Sequence, residues 1–140
     1  MGRSRAEEAI AKVRRGYDQR DPIALAGSYA EDAVMENSGD APAHGRKAIE
    51  QGCRIYFTAF PDLMVEFLYV LVAGDRACIE FRTTGTHTGV LATANGDVQP
   101  TGRRLDFRGA FLMRVNAMGE IMEDHTYYDT ADFAKQLGIG

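Results

Sequence analysis

Two ionisable side chains, Asp124 and His125, stand side by side in Gly119-Glu120-Ile121-Met122-Glu123-Asp124-His125-Thr126-Tyr127-Tyr128-Asp129, a segment that otherwise reads as buried strand. Taking such groups out of water is costly, so a strand that carries them either pairs them or uses them. A carboxyl in an apolar setting has its pKa raised toward neutrality, where it can both remove and return a proton. Proton abstraction beside a carbonyl needs that behaviour, which makes Asp124 the first candidate acid/base and His125 the second. Side chains alternate along a strand, so only one of the two enters a cavity unless a bulge intervenes. With His125 inward, Glu123, Tyr127 and Asp129 share its side, and a histidine–carboxylate pair becomes the acid/base unit. The structural alternatives are an ion pair from Asp124 to Arg108 or Arg114, and packing of His125 in a subunit interface.

Further polar groups would orient a substrate. His87 ends a strand in phase with Ile79, Phe81 and Thr83, which suggests a position at a cavity rim; local hydrogen bonding with Thr86 and Thr88 is the alternative. Tyr17 lies on the apolar side of the first helix, where its phenol either donates to a ligand or packs in the core. Asn37 closes a short strand and is either a contact at the cavity edge or a turn initiator before Ser38-Gly39. Tyr56, with Phe57 and Phe60, forms an aromatic set at helical spacing, part cavity wall and part core. Arg108 and Tyr128 complete the candidate substrate contacts. Three scattered histidines, His44, His87 and His125, do not make a metal site, and no phosphate loop, dinucleotide fingerprint or nucleophile elbow occurs.

These residues must be held by one domain, residues 1–140. Ser4 with Glu7 and Glu8 marks a helix start, and Ala9, Ile10, Val13 and Tyr17 give residues 6–19 a helical period. Asp21-Pro22 opens a second helix through residue 29, and residues 33–37 form a short strand before a polar loop at 38–45. A third helix covers 46–60 and stops at Pro61. The period then becomes strand-like over 63–72, 76–86, 105–115 and 121–128, with turns at Gly74-Asp75 and Asn116 to Gly119. A last helix over 131–137 ends at Gly138. Residues 88–104, rich in Gly, Thr and Asn, read as a functional flap. Helices followed by consecutive strands give an α+β fold, a curved antiparallel sheet with three helices on its concave face and a cone-shaped cavity between.

Composition narrows the partners. A net charge of −4 disfavours nucleic acid, and the basic residues near the N-terminus alternate with acidic ones as on a solvated helix face. Cys53 and Cys78 follow no metal or disulfide pattern and read as small buried apolar residues. No apolar run has the length of a membrane span or the pattern of a leader, so the expected setting is cytoplasmic, without membrane partners.

The order of elements resembles the ketosteroid isomerase and nuclear-transport-factor fold, and the second half is similar to the SnoaL-like polyketide cyclases. The matching pieces are Gly85-Thr86-His87-Thr88-Gly89, Pro100-Thr101-Gly102-Arg103-Arg104, Leu105-Asp106-Phe107-Arg108-Gly109, Phe111 to Val115, Gly119 to Asp129, and Gln136-Leu137-Gly138. The resemblance implies an aspartate on the last strand, here Asp124, acting as general acid/base in an aldol ring closure. It also implies no metal or cofactor, because the carbonyls of a hydrophobic substrate delocalise the charge, and a homodimer formed through the open sheet face. One departure is notable. The wider family often carries His then Trp where this chain has Asp124 then His125, and the position expected opposite Asp124, Ala110 or Phe111, offers no partner histidine.

Overall fold

Ser4 starts the first helix as its spacing predicts: its hydroxyl accepts from Glu7 N–H while the Glu7 carboxylate accepts from Ser4 N–H. The computed structural model describes residues 2–139. Its helices are α1 (Arg5–Asp18), α2 (Pro22–Ala26), α3 (Arg46–Ala59) and α4 (Thr130–Leu137). Its strands are β1 (Tyr29–Asn37), β2 (Ala43–His44), β3 (Met64–Ala73), β4 (Arg76–Thr86), β5 (Leu91–Thr93), β6 (Gly96–Val98), β7 (Arg104–Val115) and β8 (Ile121–Tyr128). Ala6, Ala9, Ile10 and Val13 form the buried stripe of α1.

Six strands make one curved sheet in the order β2-β1-β8-β7-β4-β3, and β5 with β6 forms a separate hairpin. The class is α+β as expected, with one difference inside the sheet. β1 runs parallel to β8, so the sheet is mixed rather than wholly antiparallel. The reason lies in connectivity, because β1 enters from the helical layer and lies beside the last strand rather than beside its sequence neighbour. Its register sets Met35 against Asp124, Glu36 against His125 and Asn37 against Thr126.

Local boundaries differ in three places. α2 ends at Ala26 with Gly27 as its cap, so Tyr29 belongs to a longer β1 and not to the helix. The polar loop after Asn37 contains the short β2, paired with β1. The 88–104 segment holds the β5–β6 hairpin and is tied at its base. Thr88 and Gly89 N–H donate to the Ala59 carbonyl at 3.2 and 3.1 Å, and Gly102 N–H donates to the His87 carbonyl at 2.8 Å. Neither cysteine is fully buried; Cys78 lies in register with Leu112 on the outer sheet face, and Cys53 lines the cavity.

Contact between α1 and α2 depends on Gly16. A Cβ there would lie 2.9 Å from the Leu25 Cα, closer than real Cβ atoms approach backbone. Gly16→Ala is therefore expected to lower stability by about 1–3 kcal/mol, despite alanine's better helix propensity, because the helices must part. A urea midpoint equal to or above that of the wild type would show that the interface yields freely. Among the described residues no helix is long and apolar enough to cross a membrane.

Candidate active site

Between the helical layer and the concave sheet face lies a cavity of about 140 Å³. Alternation along the strands explains its wall: Phe81 and Thr83 of β4, Phe107 and Phe111 of β7, and Thr126 and Tyr128 of β8 all point inward. Tyr17 from α1, Ile49, Cys53, Tyr56 and Phe57 from α3, and Phe133 from α4 close it from above. The lining is strongly aromatic. Phe81 stacks on Phe111 at 4.2 Å between ring centres, and Phe111 lies nearly parallel to Tyr17 at 6.1 Å.

Asp124 is the inward member of the adjacent pair. Asp124 is 1 % exposed, and its strand neighbour on β7 is Met113 rather than Ala110 or Phe111, in a register that shifts by one residue at a bulge between Arg114 and Val115. It pairs with neither Arg108 nor Arg114. The Tyr29 hydroxyl donates to Oδ2 at 2.5 Å, and the Thr126 hydroxyl donates to Oδ1 at 3.3 Å. Burial pushes the carboxyl up to about 6, with the Tyr29 and Thr126 hydrogen bonds and nearby His125 pulling the other way. Asp124 is not itself a wall residue; Thr126, the next inward residue along β8, is. The carboxyl nonetheless lies close enough to two wall residues to act on them. Burial first, then Cys53 and the Asp124 charge, raise the Tyr17 phenol, and burial followed by the Asp124 charge pushes the Cys53 thiol up to about 12.

His125 points to the outer face. Its Nδ1 lies 3.3 Å from Glu36 and its Nε2 3.8 Å from Glu123, and its ring runs parallel to Tyr127. Glu123 in turn accepts from Arg114 at 2.7 Å. Arg108 is likewise exposed on the outer face, in register with Arg82, and does not meet the cavity. His87 is buried inward as its phase predicts, yet it is not on the cavity wall. Its ring packs on Phe60, and Nδ1 accepts from Thr101 N–H at 3.2 Å, so it ties the base of the 88–104 segment.

The structure does bring four of the candidates together on the wall: Tyr17, Asn37, Tyr56 and Tyr128. Tyr56 is raised by burial first and then by neighbouring Tyr128, and the Tyr128 phenol is itself raised by burial. Tyr17 has ring neighbours in Phe57, Phe67 and Phe111, and among the described residues no hydrogen-bond partner takes its hydroxyl. Tyr29 and Thr126 are the site residues that sequence reasoning misses. Among the described residues no group of three His, Cys, Asp or Glu side chains is placed to hold a metal ion.

The family model of the SnoaL-like polyketide cyclases matches residues 7–137. No curated protein matches the chain. Among solved structures, a candidate SnoaL-like polyketide cyclase from Jannaschia sp. CCS1 superposes with a TM-score of 0.80 at 18% identity, covering 100% of this chain and 99% of the other. A protein with a ketosteroid isomerase-like fold from Catenulispora acidiphila DSM 44928 gives 0.78 at 21% identity, over 95% and 94% of the two chains. IdmH from Streptomyces antibioticus, a candidate polyketide cyclase, gives 0.75 at 25% identity over 97% and 100%.

Proposed function

The chain belongs to the SnoaL-like polyketide cyclase family, and we propose that it is a cofactor-free acid/base enzyme acting on a hydrophobic carbonyl compound, by aldol cyclisation or a related isomerisation or hydration. One observation carries the reading: a buried carboxyl held near pH 6 directly behind an aromatic cavity. At neutral pH such a group is largely ionised and basic enough to take a proton from carbon next to a carbonyl. Thr126, a wall residue whose hydroxyl donates to Asp124, relays the proton: its oxygen takes the proton from the substrate carbon as its own hydroxyl proton passes to the Asp124 carboxylate. The resulting enolate needs no metal, because its charge spreads onto the substrate's own oxygen. Tyr17, Asn37 and Tyr56 supply donors for that oxygen.

A second reading, a binding protein without turnover, is favoured by the same carboxyl's hydrogen bonds. Both Asp124 oxygens already accept from Tyr29 and Thr126, as a purely structural group would. The two readings separate on deuterium exchange at the α-carbon of a simple aryl alkyl ketone in D₂O, followed by proton NMR. Exchange faster than in buffer, and lost in Asp124→Asn, supports the enzyme. Saturable binding with exchange at the buffer rate supports the binding protein.

The expected partner is a second copy. On the outer face Leu71, Cys78, Leu112 and His125 align across four strands, and Leu71 and Leu112 are 58% and 47% exposed. Tyr69 and Tyr127 flank this row. Leu112→Lys places a charge in the middle of that apolar row, and sedimentation should show a wild-type dimer with a variant at least tenfold weaker in association. A monomeric wild type at tens of micromolar would end this proposal.

A further inference from the structure

Gly52 stands in the interior of α3, although glycine is the poorest helix former after proline. A helical glycine commonly answers to a close neighbour, and Gly16 against Leu25 is such a case. Gly52 is not: a Cβ built on it meets nothing within 4 Å. Yet Gly52 lines the cavity, and it is half-buried rather than sealed. The missing side chain therefore leaves room on the ligand side of α3, beside Ala48 on the same helix and Ala43 on β2. The opposite wall, on the sheet, is closed by the stacked rings of Phe81 and Phe111.

Volume sets the second condition. The cavity holds about 140 Å³, close to the roughly 150 Å³ of an engineered apolar cavity that takes up one benzene. A laterally fused polycyclic skeleton is larger than that space. It would have to displace packed aromatic side chains, and protein interiors resist such overpacking.

We infer that the site selects a slender carbonyl compound, with one ring-sized group seated against Phe81 and Phe111 and the rest of the molecule leaving over Gly52. Gly52 is then the position that sets substrate length, and fused polycyclic ketones are excluded. This selection rests on the cavity being the substrate site, as in the acid/base reading above, but it does not require turnover.

The test compares the affinities of acetophenone, 4′-pentylacetophenone and 9-acetylanthracene for the wild type, for Gly52→Ala and for Gly52→Leu. In the wild type the pentyl compound binds at least tenfold more tightly than acetophenone, and 9-acetylanthracene at least tenfold more weakly than the pentyl compound. Gly52→Leu keeps acetophenone within about threefold and loses the pentyl advantage. Gly52→Ala, whose methyl has open space around it, keeps the fold and loses part of that advantage. Equal binding of 9-acetylanthracene and the pentyl compound overturns the inference. So does an undiminished pentyl advantage in Gly52→Leu, or no binding of any of the three ketones by the wild type. Exchange of the ketones' α-protons, measured beside these titrations, separates this inference from the acid/base reading. Retained size selection with no α-proton exchange in the wild type refutes the enzyme alone, whereas exchange without size selection refutes the inference alone.

Discussion

Asp124→Asn is expected to slow α-proton exchange at least a hundredfold while making the protein more stable at pH 8, not less. The first half follows from losing the only buried carboxyl behind the cavity wall among the described residues, since a positioned general acid/base contributes about 10²–10⁴ in rate. The second half follows from linkage. Asp124 goes from 3.8 in the unfolded chain to about 6 when folded, so the folded state binds its proton more tightly. The penalty of carrying the buried charge is absent below the unfolded value, grows between pH 4 and about pH 6, and is complete above that. At pH 8 it amounts to about 3 kcal/mol. Asparagine never pays it, and its amide can still accept from Tyr29 and donate to Thr126. Urea unfolding from pH 4 to pH 8 should therefore give a gap in favour of the variant that opens as pH rises and closes in acid. The wild-type exchange rate should climb through about pH 6, where the base ionises. A stability gap that does not change with pH would mean that Asp124 is ionised without penalty, and the acid/base assignment would lose its physical basis.

How far these residues could be read from the sequence depended on whether the signal was local. Strand alternation put exactly one of Asp124 and His125 inside, but the choice needed the bulge between Arg114 and Val115, which moves Asp124 opposite Met113. Tyr17, Asn37, Tyr56 and Tyr128 were legible as candidates because each lies on the apolar side of an element whose period is plain in the sequence. Arg108 and His87 were not decidable in the same way. Arg108 shares its strand with inward residues but sits one position out of phase, and His87 is in phase yet lies past the end of the sheet's contact with the cavity. Tyr29 was the largest loss. It meets Asp124 across 95 residues of chain, through a parallel β1–β8 pairing that no local period announces. The available sign is Gly27, a poor helix former that caps α2 two residues before Tyr29.

That missed residue carries the second strong expectation: Tyr29→Phe should move the site's pH dependence upward and weaken the fold most where Asp124 is ionised. The Tyr29 hydroxyl donates to the carboxyl at 2.5 Å and is one of the groups holding its pKa down against burial. Without it the ionised carboxyl keeps only the longer Thr126 bond, so its pKa rises further and a larger share of the protein is protonated at neutral pH. Loss of a hydrogen bond to a buried charge costs about 2 kcal/mol at pH 8, and less at pH 4, where the carboxyl is neutral in either protein. The packing change alone is small, because phenylalanine fills the same ring volume. Two readouts distinguish this positioning role from mere packing. The acid limb of the exchange profile shifts to higher pH in Tyr29→Phe, and a double-mutant cycle with Asp124→Asn gives a coupling of at least about 1 kcal/mol at pH 8. An unshifted limb together with additive stability changes would reduce Tyr29 to a core residue. Asp124 would then owe its setting to burial alone, which keeps the raised carboxyl of the acid/base reading and takes Tyr29 out of the site.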